Sequence, residues 1–218
     1  MKINHIIGTS FIDYPKEISM VVFTKGCNMT CPYCHNKDLC EQELLVDVND
    51  VYAFLRKRQG LVDAITISGG EPTLQPHLID FCRQLKNIGV KIKLDTNGSN
   101  PKILKQLIEE GLLDYVAMDM KTSPQKYEAL CGIAFEKVQE SIALIKTLGA
   151  YEFRTTVYPT ILEKDLEEIV DLIGNEKYYL QQYRSNSPKE LSAYSDETIA
   201  SMGIRLGVMV RGLSAVSA

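Results

Sequence analysis

Short β-rich apolar runs alternate with helix-period segments along almost the whole of this 218-residue chain, and that alternation restricts its fold more than any other feature. The spacing predicts strands at 18–24, 64–68, 91–95, 115–119, 152–158 and 177–183, with a seventh at 204–210. Amphipathic helices are expected between them at 48–58, 78–88, 101–110, 135–148 and 163–173. Asp47 is placed to cap the first helix, and Asn100 before Pro101 to open the third. Gly60, Gly89, Gly111 and Gly149 follow helical runs, where a left-handed residue is wanted. Strand–helix–strand units repeated this often imply parallel strands joined by right-handed crossovers. Two arrangements fit: an open doubly wound sheet, or an incomplete (β/α) barrel of about six units. No repeat, low-complexity tract or long linker divides the chain. A single domain over 1–218 is expected, with its core at about 15–185 and a disordered small-residue end at about 211–218.

In either arrangement a ligand belongs at the C-terminal ends of the strands. The unusual polar residues fall there. A cysteine loop follows the first strand, "SGGEP" the second, "DTNG" ends the third and "MDMK" closes the fourth. Arg154 lies within the fifth strand and "QQYR" ends the sixth. One composite site is the economical reading.

Cys27, Cys31 and Cys34 form C-x3-C-x2-C, half of the six cysteines of the chain. Neither a signal peptide nor a membrane-length apolar run is evident, so a cytoplasmic location is expected. In a reducing compartment, clustered thiols point to metal or redox chemistry rather than disulfides. A structural zinc would want a fourth ligand, for which His35 or Cys40 is available, although neither gives the usual knuckle spacing. A four-iron cluster on three cysteines would instead keep one iron open to an outside ligand. Cys40, Cys82 and Cys131 lack a matched spacing and are expected to pack as small apolar side chains. The net charge of −4 gives no sign of nucleic-acid binding. Arg56, Lys57 and Arg58 read as a solvated helix end.

The other motifs each carry a plain structural reading. Gly69, Gly70, Glu71 and Pro72 suit either a strand-to-helix turn or backbone brought close to a ligand, with Glu71 as a negative partner. Asp95, Thr96, Asn97 and Gly98 fit an Asx turn. Asp119 and Lys121 fit a capped strand end. Tyr33 offers an aromatic face and a backbone carbonyl suited to adenine. His35 lacks an evident carboxylate partner and reads as a neutral contact, while His5 and His77 read as turn or surface residues.

C-x3-C-x-aromatic-C, with Tyr33 before the last cysteine, resembles the signature of radical S-adenosylmethionine enzymes. "DYPKEISMVVFTKGCNMTCPYCHN", "ISGGEPTLQP", "LDTNGSNP", "DYVAMDMKT", "YEFRTTVYP" and "YYLQQYR" together resemble activating enzymes of glycyl-radical proteins. Among these they are most similar to activating proteins of anaerobic ribonucleoside-triphosphate reductase, akin to pyruvate formate-lyase activating enzyme. The resemblance spans about residues 5–185 and implies an incomplete (β/α)6 TIM-type barrel. It implies a [4Fe–4S] cluster on Cys27, Cys31 and Cys34, and S-adenosylmethionine against Tyr33, His35, Gly69, Gly70, Glu71, Asn97, Lys121, Arg154 and Arg184. Arg184 stands where the pyruvate formate-lyase enzyme has histidine. The resemblance also implies a monovalent cation at Asp95, Thr96 and Asp119, where two aspartates and the cofactor carboxylate would otherwise repel. Reductive cleavage of the cofactor and abstraction of hydrogen from a partner glycine follow from it, with flavodoxin or ferredoxin as donor and no residue acting as acid or base. Nucleic acid and membrane are not expected partners. Two rival readings are a small-molecule enzyme similar to 7-carboxy-7-deazaguanine synthase, against which His35-Asn36 argues, and a zinc module.

Overall fold

The computed structural model describes residues 1–34, 45–184 and 192–214. Eight strands form one sheet in sequence order: β1 (Ile3–Ser10), β2 (Ser19–Thr24), β3 (Ala64–Gly69), β4 (Lys91–Thr96), β5 (Tyr115–Asp119), β6 (Tyr151–Val157), β7 (Tyr178–Gln182) and β8 (Met209–Arg211). β1 pairs antiparallel with β2, and every later neighbour pairs parallel. Among the described residues β1 and β8 do not pair, so the sheet stays open, as an incomplete barrel requires.

The described helices are α1 (Val48–Lys57), α2 (Leu78–Ile88), α3 (Pro101–Glu109), α4 (Tyr127–Cys131), α5 (Phe135–Ile145), α6 (Glu163–Ile173) and α7 (Asp196–Leu206). Leu78, Phe81, Leu85 and Ile88 repeat at helical spacing on α2 and are buried, which fixes its inward face. In β3, Ala64 through Ile67 are all buried, as expected of a parallel strand covered on both sides. Asp47 caps α1 by accepting from the Asn49 N–H at 2.8 Å. Arg56 and Lys57 occupy its last turn, beside the negative end of the helix. No helix among the described residues is long and apolar enough to cross a membrane.

Four expectations need correction. β1 is absent from the sequence reading, because "INHIIGTS" lacks period-two alternation and is bulged in its pairing with β2. The seventh strand does not run from 204 to 210. Residues 204–206 end α7, and only Met209–Arg211 pairs with β7. Gly203 hid that helix by interrupting its pattern. A Cβ there would lie 2.4 Å from Val210 Cγ2, so the missing side chain lets β8 pack against α7. Asn100 makes no side-chain cap; its Nδ2 donates instead to the Thr73 carbonyl at 2.8 Å. α5 stops at Ile145, so Gly149 does not terminate it. Residues 211–214 of the expected tail are described, and 215–218 lie outside the described residues.

Candidate active site

The C-terminal ends of β2 to β7 open on one cavity of about 680 Å³. Cys27, Cys31, Tyr33 and Cys34 reach it from the loop after β2, and Gly69 and Gly70 from the end of β3. Asp95, Thr96 and Asn97 line it from β4, Asp119 and Lys121 from β5, Arg154 from β6 and Gln181 from β7. The strand ends therefore converge.

The cysteine loop is bound to the neighbouring strand ends by backbone and amide groups. Gly70 N–H donates to Thr24 O at 3.0 Å and Glu71 N–H to Gly26 O at 2.9 Å. A Cβ on Gly70 would sit 1.9 Å from Gly26 O, and one on Gly69 2.3 Å from Thr24 N. The paired glycines are thus needed for strand-to-loop contact, whatever they offer a ligand. Gln75 Nε2 donates to Lys25 O at 2.6 Å. Asn97 Nδ2 lies 3.1 Å from Asn28 Oδ1 and 3.8 Å from Cys27 Sγ. Cys27 Sγ also accepts from Met29 N–H at 3.4 Å. Burial, its largest influence, holds the Cys27 thiol above its ordinary pKa.

Glu71 lies behind the cavity wall, fully buried. Its Oε1 accepts from Thr73 N–H at 3.1 Å, Thr73 Oγ1 at 2.6 Å and Thr96 Oγ1 at 2.7 Å. Its Oε2 accepts from Asn97 N–H at 2.7 Å. Burial raises its pKa against the pull of these donors. The carboxylate ties the turn after β3 to the turn after β4 and does not line the cavity.

The charged groups form a chain across the floor. Arg154 Nε donates to Asp119 Oδ1, and its terminal nitrogen lies 3.2 Å from Asp95 Oδ2. Lys121 Nζ lies 3.0 Å from Asp119 Oδ2, and Lys93 Nζ pairs with Asp95 Oδ1. Burial would raise both aspartates, but Arg154 with Lys121 or Lys93 holds them below the ordinary carboxylate range. Burial would lower Lys121 and Arg154, and the same aspartates raise them instead. Asp95, Asp119, Lys121 and Arg154 therefore stay charged near neutrality.

Several expected site residues have a different placement. Tyr33 is 5% exposed, its ring 4.9 Å from that of Tyr158 and its hydroxyl donating to Lys121 O at 3.1 Å. The ring is committed to packing, which leaves the backbone for a ligand. Arg184 does not line the cavity; it donates to Gly212 O at 2.6 Å and pairs with Asp196 at 3.3 Å. His35 and Cys40 lie outside the described residues. Cys82 and Cys131 are fully buried, as expected. Cys131 does more than pack. Its thiol is close enough to Cys31 to lower the Cys31 pKa, against the opposing effect of burial. His5 and His77 are exposed, though His5 lies on β1 and not in a turn.

The described thiols are free. Among the described residues, no three His, Cys, Asp or Glu side chains meet closely enough to hold a single metal ion. A cubane takes thiolates at separate corners, which suits three thiols spread over one cavity wall. The Asn97 amide beside Cys27 is the kind of outer donor such a ligand uses. The donor set fits a cluster.

Comparison with known proteins gives the same direction. Residues 21–173 match the family model of the Radical SAM superfamily. A Methanocaldococcus jannaschii protein named as a glycyl-radical enzyme activating enzyme is 37% identical over 89% of this chain and 83% of its own length. A Pyrococcus horikoshii protein named as a GTP 3′,8-cyclase is 25% identical over 78% of this chain, but over only 56% of its own length. The pyruvate formate-lyase-activating enzyme of Clostridium pasteurianum is 26% identical over 80% of this chain and 76% of its length. The crystal structure of Streptococcus suis SuiB superposes with a TM-score of 0.69 at 15% identity, over 88% of this chain and 48% of that one, a likeness of fold.

Proposed function

The chain belongs to the radical SAM superfamily, whose enzymes use a [4Fe–4S] cluster and S-adenosylmethionine, and from that premise we propose that it activates a glycyl-radical enzyme. The observation that carries the proposal is the 37% identity to a protein named as such an activating enzyme, extending over most of both chains. We assign anaerobic ribonucleoside-triphosphate reductase as the partner, on the resemblance of the strand-end motifs. When bound, the cluster and S-adenosylmethionine supply one-electron cleavage of a sulfonium–carbon bond, and with it the means to take hydrogen from an unactivated carbon.

This chain's own residues hold and orient those groups. Cys27, Cys31 and Cys34 would hold the cluster, and with three thiol ligands it would keep a position for the amino acid end of the cofactor. Gly70 has given its N–H to Thr24 O, so its carbonyl is the atom it can offer an ammonium. Lys121 and Arg154 present positive charge to a carboxylate. The Tyr33 backbone is assigned to adenine, and Asn97 holds the cysteine loop against the turn after β4. A cavity of about 680 Å³ lies within the ~300–1,000 Å³ usual for cofactor sites. None of the residues on its wall is asked to move a proton.

The rim suits a protein substrate. Ile12 lines the cavity mouth while 91% exposed, and the adjacent Phe11 is 74% exposed. Apolar side chains of this size gain by being covered when a partner docks. The open edge of the sheet gives a glycine-bearing loop a way in. Free clustered thiols suit a reducing cytoplasm with a small electron-transfer protein as donor. The test is 5′-deoxyadenosine formation by reduced protein with and without the reductase. Slow cleavage alone and fast cleavage with the reductase support the reading; no acceleration by any glycyl-radical protein contradicts it.

A further inference from the structure

The family resemblance calls for a monovalent cation between Asp95, Thr96 and Asp119, on the ground that two carboxylates beside a bound carboxylate need neutralising. The arrangement does not fit that ion. Asp95 Oδ1 is taken by Lys93 Nζ, and Asp95 Oδ2 by Ser68 Oγ at 3.1 Å and Arg154 at 3.2 Å. Asp119 Oδ1 accepts from Arg154 Nε, and Asp119 Oδ2 from Lys121 Nζ at 3.0 Å. Thr96 Oγ1 donates to Glu71 at 2.7 Å and accepts from Gly98 N–H at 3.1 Å. Every carboxylate oxygen already has a donor.

Charge tells the same story. Two carboxylates face three cations, Lys93, Lys121 and Arg154, so the group carries one surplus positive charge before any metal is added. An added metal ion would meet those three cations and would have to share oxygens that already accept from them. The cofactor carboxylate, by contrast, suits the surplus.

Lys93 is the residue that distinguishes this arrangement. It sits two positions before Asp95 on β4, so the period of the strand puts both on one face. Its side chain is only 4% exposed. Lysine is rarely buried to that extent without a specific partner. Lys121 and Arg154 line the cavity, whereas Lys93 lies behind Asp95 and does not. It neutralises Asp95 from below and leaves the other two cations facing the ligand.

We propose that Lys93 supplies the positive charge that a monovalent metal ion would provide, so that this protein binds S-adenosylmethionine without potassium or sodium. The inference rests on the cofactor reading above and not on the identity of the partner. It is tested by equilibrium binding of S-adenosylmethionine to the cluster-loaded protein in potassium, sodium or tetramethylammonium chloride at equal ionic strength. The wild-type dissociation constant should change by less than about twofold across the three salts. Lys93→Met should bind about tenfold more weakly in tetramethylammonium and recover in potassium or sodium, while Lys93→Arg should behave as wild type. A wild-type protein that loses affinity about tenfold without potassium or sodium overturns the inference. So does a Lys93→Met variant that binds as tightly as wild type in tetramethylammonium. If Lys93→Met fails to fold, judged by circular dichroism, the wild-type salt series and Lys93→Arg decide. Absence of binding in every salt would overturn the cofactor reading, and this inference with it.

Discussion

Replacing Glu71 with Gln separates a structural strut from a ligand contact. Oε1 accepts three hydrogen bonds and Oε2 accepts one, all in a fully buried position. In its better orientation Gln puts its amide oxygen at the Oε1 position and keeps those three. Its NH2 then faces the Asn97 N–H, donor against donor, where the carboxylate accepted at 2.7 Å. One buried unmet donor costs about 1–3 kcal/mol. The three surviving bonds also lose charge assistance, while removal of a buried charge offsets part of the loss. The net destabilisation is about 2 kcal/mol, which lowers the thermal midpoint of a chain this size by about 4–8 °C. The assay is thermal melting of the anaerobically reconstituted variant beside wild type at one scan rate, with iron content and cofactor affinity measured on the same samples. Iron should be retained, and S-adenosylmethionine affinity should fall by less than tenfold, or about 1.4 kcal/mol. An unchanged midpoint together with a larger loss of affinity would refute the reasoning, because the carboxylate would then be a cofactor contact.

Gly70→Ala should lose most of its iron although it removes no ligand, because its Cβ would fall 1.9 Å from Gly26 O and displace the cysteine loop; iron and sulfide analysis checks this. Cys31→Ala should lose the cluster, whereas Cys82→Ala and Cys131→Ala should retain it, as judged by the visible absorbance of the purified proteins. Asp95 and Asp119 have depressed pKa values in the fold, so their contribution to stability is full above the unfolded value of about 3.9 and is lost as pH falls through the folded values. Thermal midpoints should therefore fall below about pH 4, and Asp119→Asn should flatten that fall.

The parallel core was legible because its strands are short apolar runs bounded by glycines and helix caps. Tyr115–Asp119, Leu78–Ile88 and Glu163–Ile173 match the sequence boundaries residue for residue. The edges were not legible. β1 depends on its antiparallel partner, and Gly203 breaks the helical pattern of α7 for the sake of packing against Val210. At the site, motif position showed which residues gather but not which way they face. Glu71 and Arg184 lie in the right segments and turn away, because Thr73, Thr96 and Asn97 capture one, and Gly212 and Asp196 the other. Lys93 carried a readable signal in its two-residue spacing from Asp95. Cys131 carried none, since its contact with Cys31 joins α4 to a distant loop.

Direct transfer of hydrogen from a partner glycine is the central claim. Reduced protein, S-adenosylmethionine and anaerobic ribonucleoside-triphosphate reductase should be mixed without oxygen, using reductase with ordinary glycine and with glycine deuterated at Cα, and followed by electron paramagnetic resonance. The account predicts a glycyl doublet that collapses on deuteration, with deuterium recovered in 5′-deoxyadenosine. No glycyl signal with any glycyl-radical protein of the same cell, while deuterium passes to 5′-deoxyadenosine from a labelled small molecule, would contradict it.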